Sequence, residues 1–437
     1  MARRLLDSGV LVPDPGRHPA PPPMSDVTVV VPVRDDIDGL VRCLRSVRAL
    51  WPDVVMVVVD DGSSDARSVE WVCQEHHAGV IRRESAAGPA AARNAALEEV
   101  DTDYVVLVDA DVEVIGADPW PRWWSLLEDS TVAVVAPRVI GTGGEGGAGV
   151  YERIRFPLDL GGLASRVAPD ARVTYAPAAL LVARTAALTD AGGFDPALRY
   201  GEDVDLLWRL GDAGWRCWYD PVPAARHPVR PDPVSRMRQR FGYGTSAAPL
   251  AVRYGERLAP WRGSRWTPVV VALAVGGHPR AAVAVVCANA VALQRRIGDR
   301  GVDPITSLRL VSQGHLGSGR ALLRALVRPW WPLTLAGSLL LPPRIGRRLF
   351  AALLLPTLAE WAGTRPPLDP LRWTWWWLVD DVSYGAGVWV GWWRNRRNRR
   401  NRRNRRNGWA GASLIPRVTE WPGPRSGGAP TRTVGGS

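Results

Sequence analysis

Between Val27 and Asp111 the chain repeats one pattern, and that pattern leaves few folds open. Short apolar runs rich in β-branched residues end in polar or acidic turns and alternate with segments of helical periodicity. Val27–Val33 is the first run; Pro32, which lacks an N–H, is expected at its end or edge. An amphipathic helix is predicted from about Asp38 to Leu50, with Leu40, Cys43, Leu44 and Val47 on one face. Val54–Val59 runs into Asp60-Asp61-Gly62-Ser63, and a helix follows to about Glu75. Val80-Ile81 reads as a short third strand, and Gly88-Pro89 opens an alanine-rich helix with proline in its first turn. The last run, Tyr104–Val108, ends in Asp109-Ala110-Asp111. Such alternation predicts an α/β fold with a mostly parallel sheet flanked by helices and right-handed crossovers. Ligands then sit beyond the carboxyl ends of the strands, where Asp109 and Asp111 stand and can hold a divalent metal that in turn holds a diphosphate. A Rossmann dinucleotide site needs Gly-x-Gly-x-x-Gly after the first strand; Val33-Arg34-Asp35-Asp36 stands there instead.

Further along, a helix is expected from Trp120 to Glu128 and a strand from Val132 to Pro137. Gly141–Gly149 holds six glycines and reads as a flexible loop, a candidate lid. Val173–Val182 reads as irregular chain leading into a strand, and a short helix ends at Gly192-Gly193-Phe194-Asp195. In Arg199–Arg209, Glu202 and Asp203 precede an apolar helical pattern, where acidic groups also suit a helix N-terminus without any catalytic role. Trp215–Tyr219 is a strand, and His227 falls in the loop after it, either a ligand or an ordinary loop histidine.

The net charge of +12 misleads, because nine arginines lie in the Arg/Asn repeat at 394–406 and the rest of the chain carries +3. No nucleic-acid partner is therefore expected of the body of the protein. The four cysteines are far apart and form no Cys-x-x-Cys pair, which fits a reducing, cytoplasmic setting and neither a zinc site nor a disulfide scaffold. Residues 1–26, with one helical turn at Ala2–Leu6 and a proline-rich stretch, read as a linker; 27–255 is the α/β domain, 256–393 a helical, apolar, tryptophan-rich region, and 394–437 the repeat and a disordered tail. Pro268–Leu293 and Leu333–Trp361 are apolar, but each is broken by proline and arginine and offers no run of ~20 apolar residues. Tryptophans between Trp373 and Trp393, followed at once by the arginine run, predict peripheral contact with the inner face of a membrane.

Taken together, VVVPVRDD at 29–36, VVVDDGSSD at 57–65, GPAAARNAAL at 88–97, LVDADV at 107–112, GGFDP at 192–196 and GEDVDLLWRL at 201–210 resemble the family-2 glycosyltransferases of the GT-A fold. Within them, Tyr151-Glu152, Leu158-Asp-Leu-Gly161, Tyr175–Leu180, Leu198–Asp205 and Tyr243–Ala251 look like the mycofactocin-system glycosyltransferases, a resemblance covering residues 27 to about 260. Two features depart from that family: little chain precedes the first strand, and the Arg/Asn repeat is foreign to it.

The resemblance implies an inverting transfer from a UDP-sugar, with UDP-glucose expected, to mycofactocin or its precursor in β-linkage. It implies Mn²⁺ or Mg²⁺ at Asp111, with Asp109 on the ribose or the metal shell and His227 in place to complete that shell. Asp203 is the expected general base and Glu202 the alternate, which would otherwise bind acceptor hydroxyls. Asp35 and Asp61 would surround uracil and ribose over a floor of Pro32, Val33 and Arg34, with Asp60 beside them as a structural acceptor at the strand end. Arg93 would face the donor phosphate or sugar, or else lie on a helix surface. The rivals are a cell-envelope polysaccharide or glycolipid transferase and, from another class, a nucleic-acid binder acting through the repeat.

Overall fold

The computed structural model describes residues 6, 11–14, 20–230, 232–397 and 413–418. Strands β1 (Val27–Val33), β2 (Val55–Asp61), β3 (Gly79–Arg83), β4 (Tyr104–Val108), β5 (Glu113–Val114), β6 (Val132–Thr142), β7 (Ser165–Arg166), β8 (Leu180–Arg184) and β9 (Arg216–Pro228) build one sheet. Its order is β3-β2-β1-β4-β8-β6-β9-β5, with β7 on β9. The expected parallel pairing holds through β3-β2-β1-β4, where every crossover carries a helix. β8 then enters antiparallel to both β4 and β6, and the sheet becomes mixed. Irregular chain rather than a crossover helix leads into β8, so nothing forces it to run with its neighbours.

β1 is buried at all seven positions. Leu40, Cys43, Leu44 and Val47 of helix Ile37–Leu50 cover one face, and Ala92, Ala96 and Leu97 of helix Pro89–Leu97 pack in the core on the other. At about 1.5–3 kcal/mol per fully buried aliphatic side chain, this double layer fixes the strand ends that carry the carboxylates. Pro32 costs no ladder bond toward β4, because that pairing stops at Val30↔Leu107.

Two local expectations change. The glycine-rich stretch is no open lid: β6 runs to Thr142, and a helix occupies Gly146–Ile154. Gly144 and Gly149 cross so closely that a Cβ on Gly149 would overlap the Gly144 backbone, so glycine serves a tight crossing there. His227 belongs to β9, not to a loop beyond it, since β6 and β9 stay paired as far as Thr142↔Pro228.

The C-terminal helices (Trp266–Gly276, Pro279–Ile297, Pro304–Val327, Trp331–Ser338, Pro343–Thr364 and Pro370–Arg397) join the same body. The last crosses helix Pro233–Thr245 backbone to backbone. A Cβ on Gly387 would overlap the Phe241 carbonyl, and one on Gly244 the Tyr384 carbonyl. Beside this crossing, Glu152, 1% exposed, takes Arg240 Nη2 on both oxygens at 3.0 and 2.8 Å. Arg240 Nε also lies 3.3 Å from Asp380, and the Arg236 guanidinium stacks 4.5 Å above Trp376.

Disorder was expected from 408 onward, yet residues 413–418 are docked. The Leu414 carbonyl accepts from Trp330 Nε1 at 2.8 Å, and Arg417-Val418 pairs with Arg262-Gly263. The Ala2–Leu6 turn, apart from Leu6, lies outside the described residues, as do the repeat beyond Arg397 and the tail beyond Val418.

Candidate active site

A cavity of about 1110 Å³ opens at the carboxyl ends of the central strands. Arg93, Asp109, Asp111, Glu202, Asp203 and His227 all line it, although they come from four separate stretches of sequence. After β4 the chain turns sharply: Asp109 N–H bonds the Ala179 carbonyl of the neighbouring segment, and Val112 N–H bonds the Asp109 carbonyl. That turn presents Asp109 and Asp111 to the opening. Gly201, at φ 80°, sets the start of helix Glu202–Asp212, so Glu202 and Asp203 project from its first turn.

Arg93 organises the centre. It is buried, donates to Asp109, and lies 3.4 Å from Glu202 through Nη1, so it bridges the two acidic motifs. Its guanidinium stacks 5.3 Å from the Phe194 ring. The next residue, Asn94, donates to the Phe194 carbonyl at 2.7 Å and accepts from Phe194 N–H at 2.8 Å. The alanine-rich helix is thereby clamped to the Gly-Gly-Phe-Asp turn, and Arg93 is no surface arginine.

His227 Nε2 lies 3.1 Å from Asp111 Oδ2, while Nδ1 faces the Pro228 carbonyl at 2.8 Å. A carbonyl only accepts, so Nδ1 carries the proton and Nε2 turns to Asp111. Burial opposes ionisation of Asp111, but the His227 contact outweighs it and holds the carboxyl below its usual range. Burial likewise opposes charge on His227, and the Asp111 hydrogen bond and charge raise it nonetheless. This pair wants a cation between its facing atoms. In an octahedral site with bonds of about 2.1 Å, two adjacent ligands lie about 3 Å apart, which is the separation found. The two residues therefore fit a divalent ion. Asp109 does not complete a set, because Arg93 holds it; among the described residues no cluster of three or more His, Cys, Asp or Glu is gathered for a metal.

Burial raises Asp109 despite Arg93. It also raises Glu202 to about 7, with the adjacent Asp203 charge adding to it. Asp203 is raised chiefly by burial, against the amides of Val204 and Ala178 and the charge of Arg93. Of these four carboxylates, Asp203 alone has no side-chain ion pair among the described residues.

The nucleotide-side residues sit at neighbouring strand ends, outside this cavity's lining. Asp35, at φ 55°, accepts from Ser64 N–H and Oγ at 2.8 Å each and ties the first turn to the second. Arg34 beside it is exposed, and Pro32 and Val33 are buried strand residues. Asp60 and Asp61 both accept hydrogen bonds from the scaffold around them. Asp60 is 1% exposed and taken by Ser63 N–H and Arg82. Asp61 takes the amides of Ala87 and Gly88, at 3.0 and 2.7 Å, and so positions the start of the Arg93 helix.

Sequence reading missed Asp205. It is wholly buried and takes Arg209, Arg253 and the Tyr254 hydroxyl, which lock helix Glu202–Asp212 to Ala247–Tyr254. It also missed the far wall of the cavity: Arg240, Arg324, Arg328, Asp380, Asp381 and Tyr384. The one signal was the Asp380-Asp381 pair inside an apolar, tryptophan-rich helix.

A family profile described as Glycosyl transferase family 2 matches residues 28–179. The pre-mycofactocin glycosyltransferase of Mycobacterium tuberculosis, in strains CDC 1551 and H37Rv, is 35% identical over 414 residues, covering 91% of this chain and 85% of that protein. Glycosyltransferase GlyA of Streptococcus pneumoniae is 37% identical over 91 residues, 20% of this chain and 13% of that protein. Among solved structures, mannosyltransferase PcManGT of Pyrobaculum calidifontis, in complex with GDP-Man and Mn²⁺, is similar at 20% identity and a TM-score of 0.42, covering 80% of this chain and 91% of that one. The chain belongs to glycosyl transferase family 2, within the family of the pre-mycofactocin glycosyltransferases, and is a glycosyltransferase of the GT-A fold.

Proposed function

We propose that the chain transfers a hexose, with inversion, from a UDP-sugar to the mycofactocin precursor, Asp203 acting as general base. The observation that carries this reading is the division of labour among the four carboxylates. Arg93 occupies Asp109 and Glu202, Asp111 pairs with His227, and Asp203 is left to take a proton. One base and in-line attack give inversion; retention by double displacement calls for a second, nucleophilic carboxylate. The likeness to the pre-mycofactocin glycosyltransferase supports the acceptor, and glucose is the sugar to test first. The test is UDP release from UDP-glucose with and without the purified precursor, with the product anomer read by NMR. Precursor-dependent release with a β product is expected. An α product would discard the single-base mechanism, and release indifferent to the precursor would discard the acceptor.

Asp111 and His227 would hold Mn²⁺ or Mg²⁺, with Asp109 on the ribose or the metal shell. When bound, such an ion neutralises charge on the departing nucleoside diphosphate. His227→Ala is expected to weaken Mn²⁺ binding by at least about tenfold in calorimetric titration. Unchanged affinity would remove the histidine from the metal site.

Membrane contact forms part of this proposal. Among the described residues one helix, Pro279–Arg300, is long and apolar enough to cross a membrane, with a mean hydropathy of 1.2 and 17% burial. Leu339, Leu340 and Leu371 are 80%, 87% and 81% exposed, and Arg344, Arg347 and Arg348 are exposed close by in sequence. An apolar surface with arginines beside it suits the inner leaflet, where each arginine adds about 1 kcal/mol. The protein is expected to co-sediment with vesicles containing phosphatidylserine and to lose binding in the Leu339→Asp, Leu340→Asp double variant. Equal recovery of the variant would point to another surface.

A further inference from the structure

The cavity exceeds the roughly 300–1,000 Å³ of a single small-molecule site. Metal pair, Arg93 and catalytic helix account for one end of it. The other end is built largely by helices of the C-terminal region.

Tyr175 marks where the two ends meet. It lines the cavity together with Asp203, Arg328 and Tyr384. Beyond it, Arg324 and Arg328 stand one turn apart at the end of helix Pro304–Val327. The Arg328 guanidinium stacks 3.8 Å from the Tyr384 ring and gives one hydrogen bond, at 3.0 Å, to Asp381 Oδ1. Arg324 shares that carboxylate only at 3.8 Å, and its guanidinium makes no hydrogen bond among the described residues. A structural ion-pair network would balance its charges, as Arg236 and Arg240 do against Glu152 and Asp380. Here two guanidinium forks share one carboxylate. The Arg324 side chain is 41% exposed and that of Arg328 32%, so part of each guanidinium faces the open cavity rather than a protein partner. Both arginines line the same cavity as Asp203, and their unspent N–H groups are strong donors available within it.

We propose that Arg324 and Arg328, with Tyr175, Tyr243 and Tyr384 around them, form the acceptor subsite. It takes a small ring compound that presents carbonyl or carboxylate oxygens to the guanidinium forks and its reacting hydroxyl to Asp203. The phenols supply flat apolar walls with polar tips, suited to a ring carrying oxygen substituents. Tyr243 lines the same cavity. This inference rests on the transferase reading for the role of Asp203, not for the existence of the subsite.

The test separates the two. In steady-state kinetics with the mycofactocin precursor, Arg324→Gln is expected to raise the acceptor KM about 10- to 100-fold while the KM for UDP-glucose stays within twofold. Arg324→Lys, which keeps the charge and loses the planar fork, should fall between. A rise in the donor KM instead would place the arginines on the diphosphate and overturn the proposal, as would no change in either. In parallel, 4-hydroxyphenylacetate, a phenol ring with a carboxylate, is titrated calorimetrically into the full-length protein. It should bind the wild type and lose affinity in Arg324→Gln, with UDP binding unaltered. Loss of that differential overturns the subsite. If the differential holds but the precursor is not glycosylated, the subsite stands and the assigned acceptor falls. Thermal melting of each variant shows that it is folded before either measurement is read.

Discussion

Asp203→Asn is expected to lower the rate of sugar transfer by about 10²- to 10⁴-fold, the usual contribution of a positioned general base. The same substitution should leave the melting temperature unchanged or higher. The reason is the sign of the linkage. Burial raises the Asp203 pKa above the unfolded value, so the folded protein holds this proton more tightly than the unfolded chain. Stability contributed by the protonated form is present at low pH and is lost as pH rises through the raised pKa, so at neutral pH the charged group costs the fold. A neutral amide of the same shape removes that cost along with the base. Activity loss with a stable or stabilised fold, by UDP release and scanning calorimetry, is the expected pair of results. Loss of both would make Asp203 structural. The acid limb of kcat/KM for the wild type should lie above the range of an ordinary aspartate, because the base must be deprotonated to act. Glu202, raised to about 7 and adjacent, shares that titration, so the limb belongs to the pair.

Gly387→Val should be strongly damaging to the C-terminal region. A side chain there would enter the Phe241 carbonyl, which its own helix holds rigid, so neither helix can yield locally. Overpacking of a tight contact costs about 1–3 kcal/mol, and the rigid backbone puts this position at the upper end or beyond. Glu152→Ala should be comparable by another route. It leaves Arg240 buried without its bidentate partner, and breaking a buried pair costs about 3–5 kcal/mol. Gly363→Ala is the control, because nothing lies within 4 Å of its Cβ and alanine favours a helix. Melting curves in which Gly387→Val matches the control would show that the crossing does not hold the domain together.

The first half of the fold was legible because each element there obeys a local rule: β-branched runs for strands, an apolar face on the helix after the first of them, proline in the first turn of the Arg93 helix. The antiparallel entry of β8 was not legible, because strand direction is a long-range choice and the run Leu180–Arg184 reads the same either way. His227 was placed in a loop because the Pro-Val-Pro stretch at 221–223 interrupts the pattern. The structure absorbs it as an irregularity in the β6–β9 register. The catalytic cluster could be named because its acidic residues end recognisable motifs. That Arg93 binds two of them, and that Asp61 holds the start of the Arg93 helix, could not be read. Both depend on which atoms meet across more than a hundred residues or between adjacent strands. The far wall was invisible for the same reason: Arg328 and Tyr384 make sense only once the last helix has crossed Pro233–Thr245.

That crossing also fixes an order of events during synthesis. Arg240 leaves the ribosome 140 residues ahead of Asp380, and the glycine-bearing face of its helix waits equally long for Gly387. At 5–20 residues per second the interval is on the order of ten seconds, far longer than helix formation needs. For that time the nascent transferase carries a completed sheet, a bare helix flank and an incomplete buried charge set. A chain ended in this window keeps that sheet and leaves the helix flank uncovered.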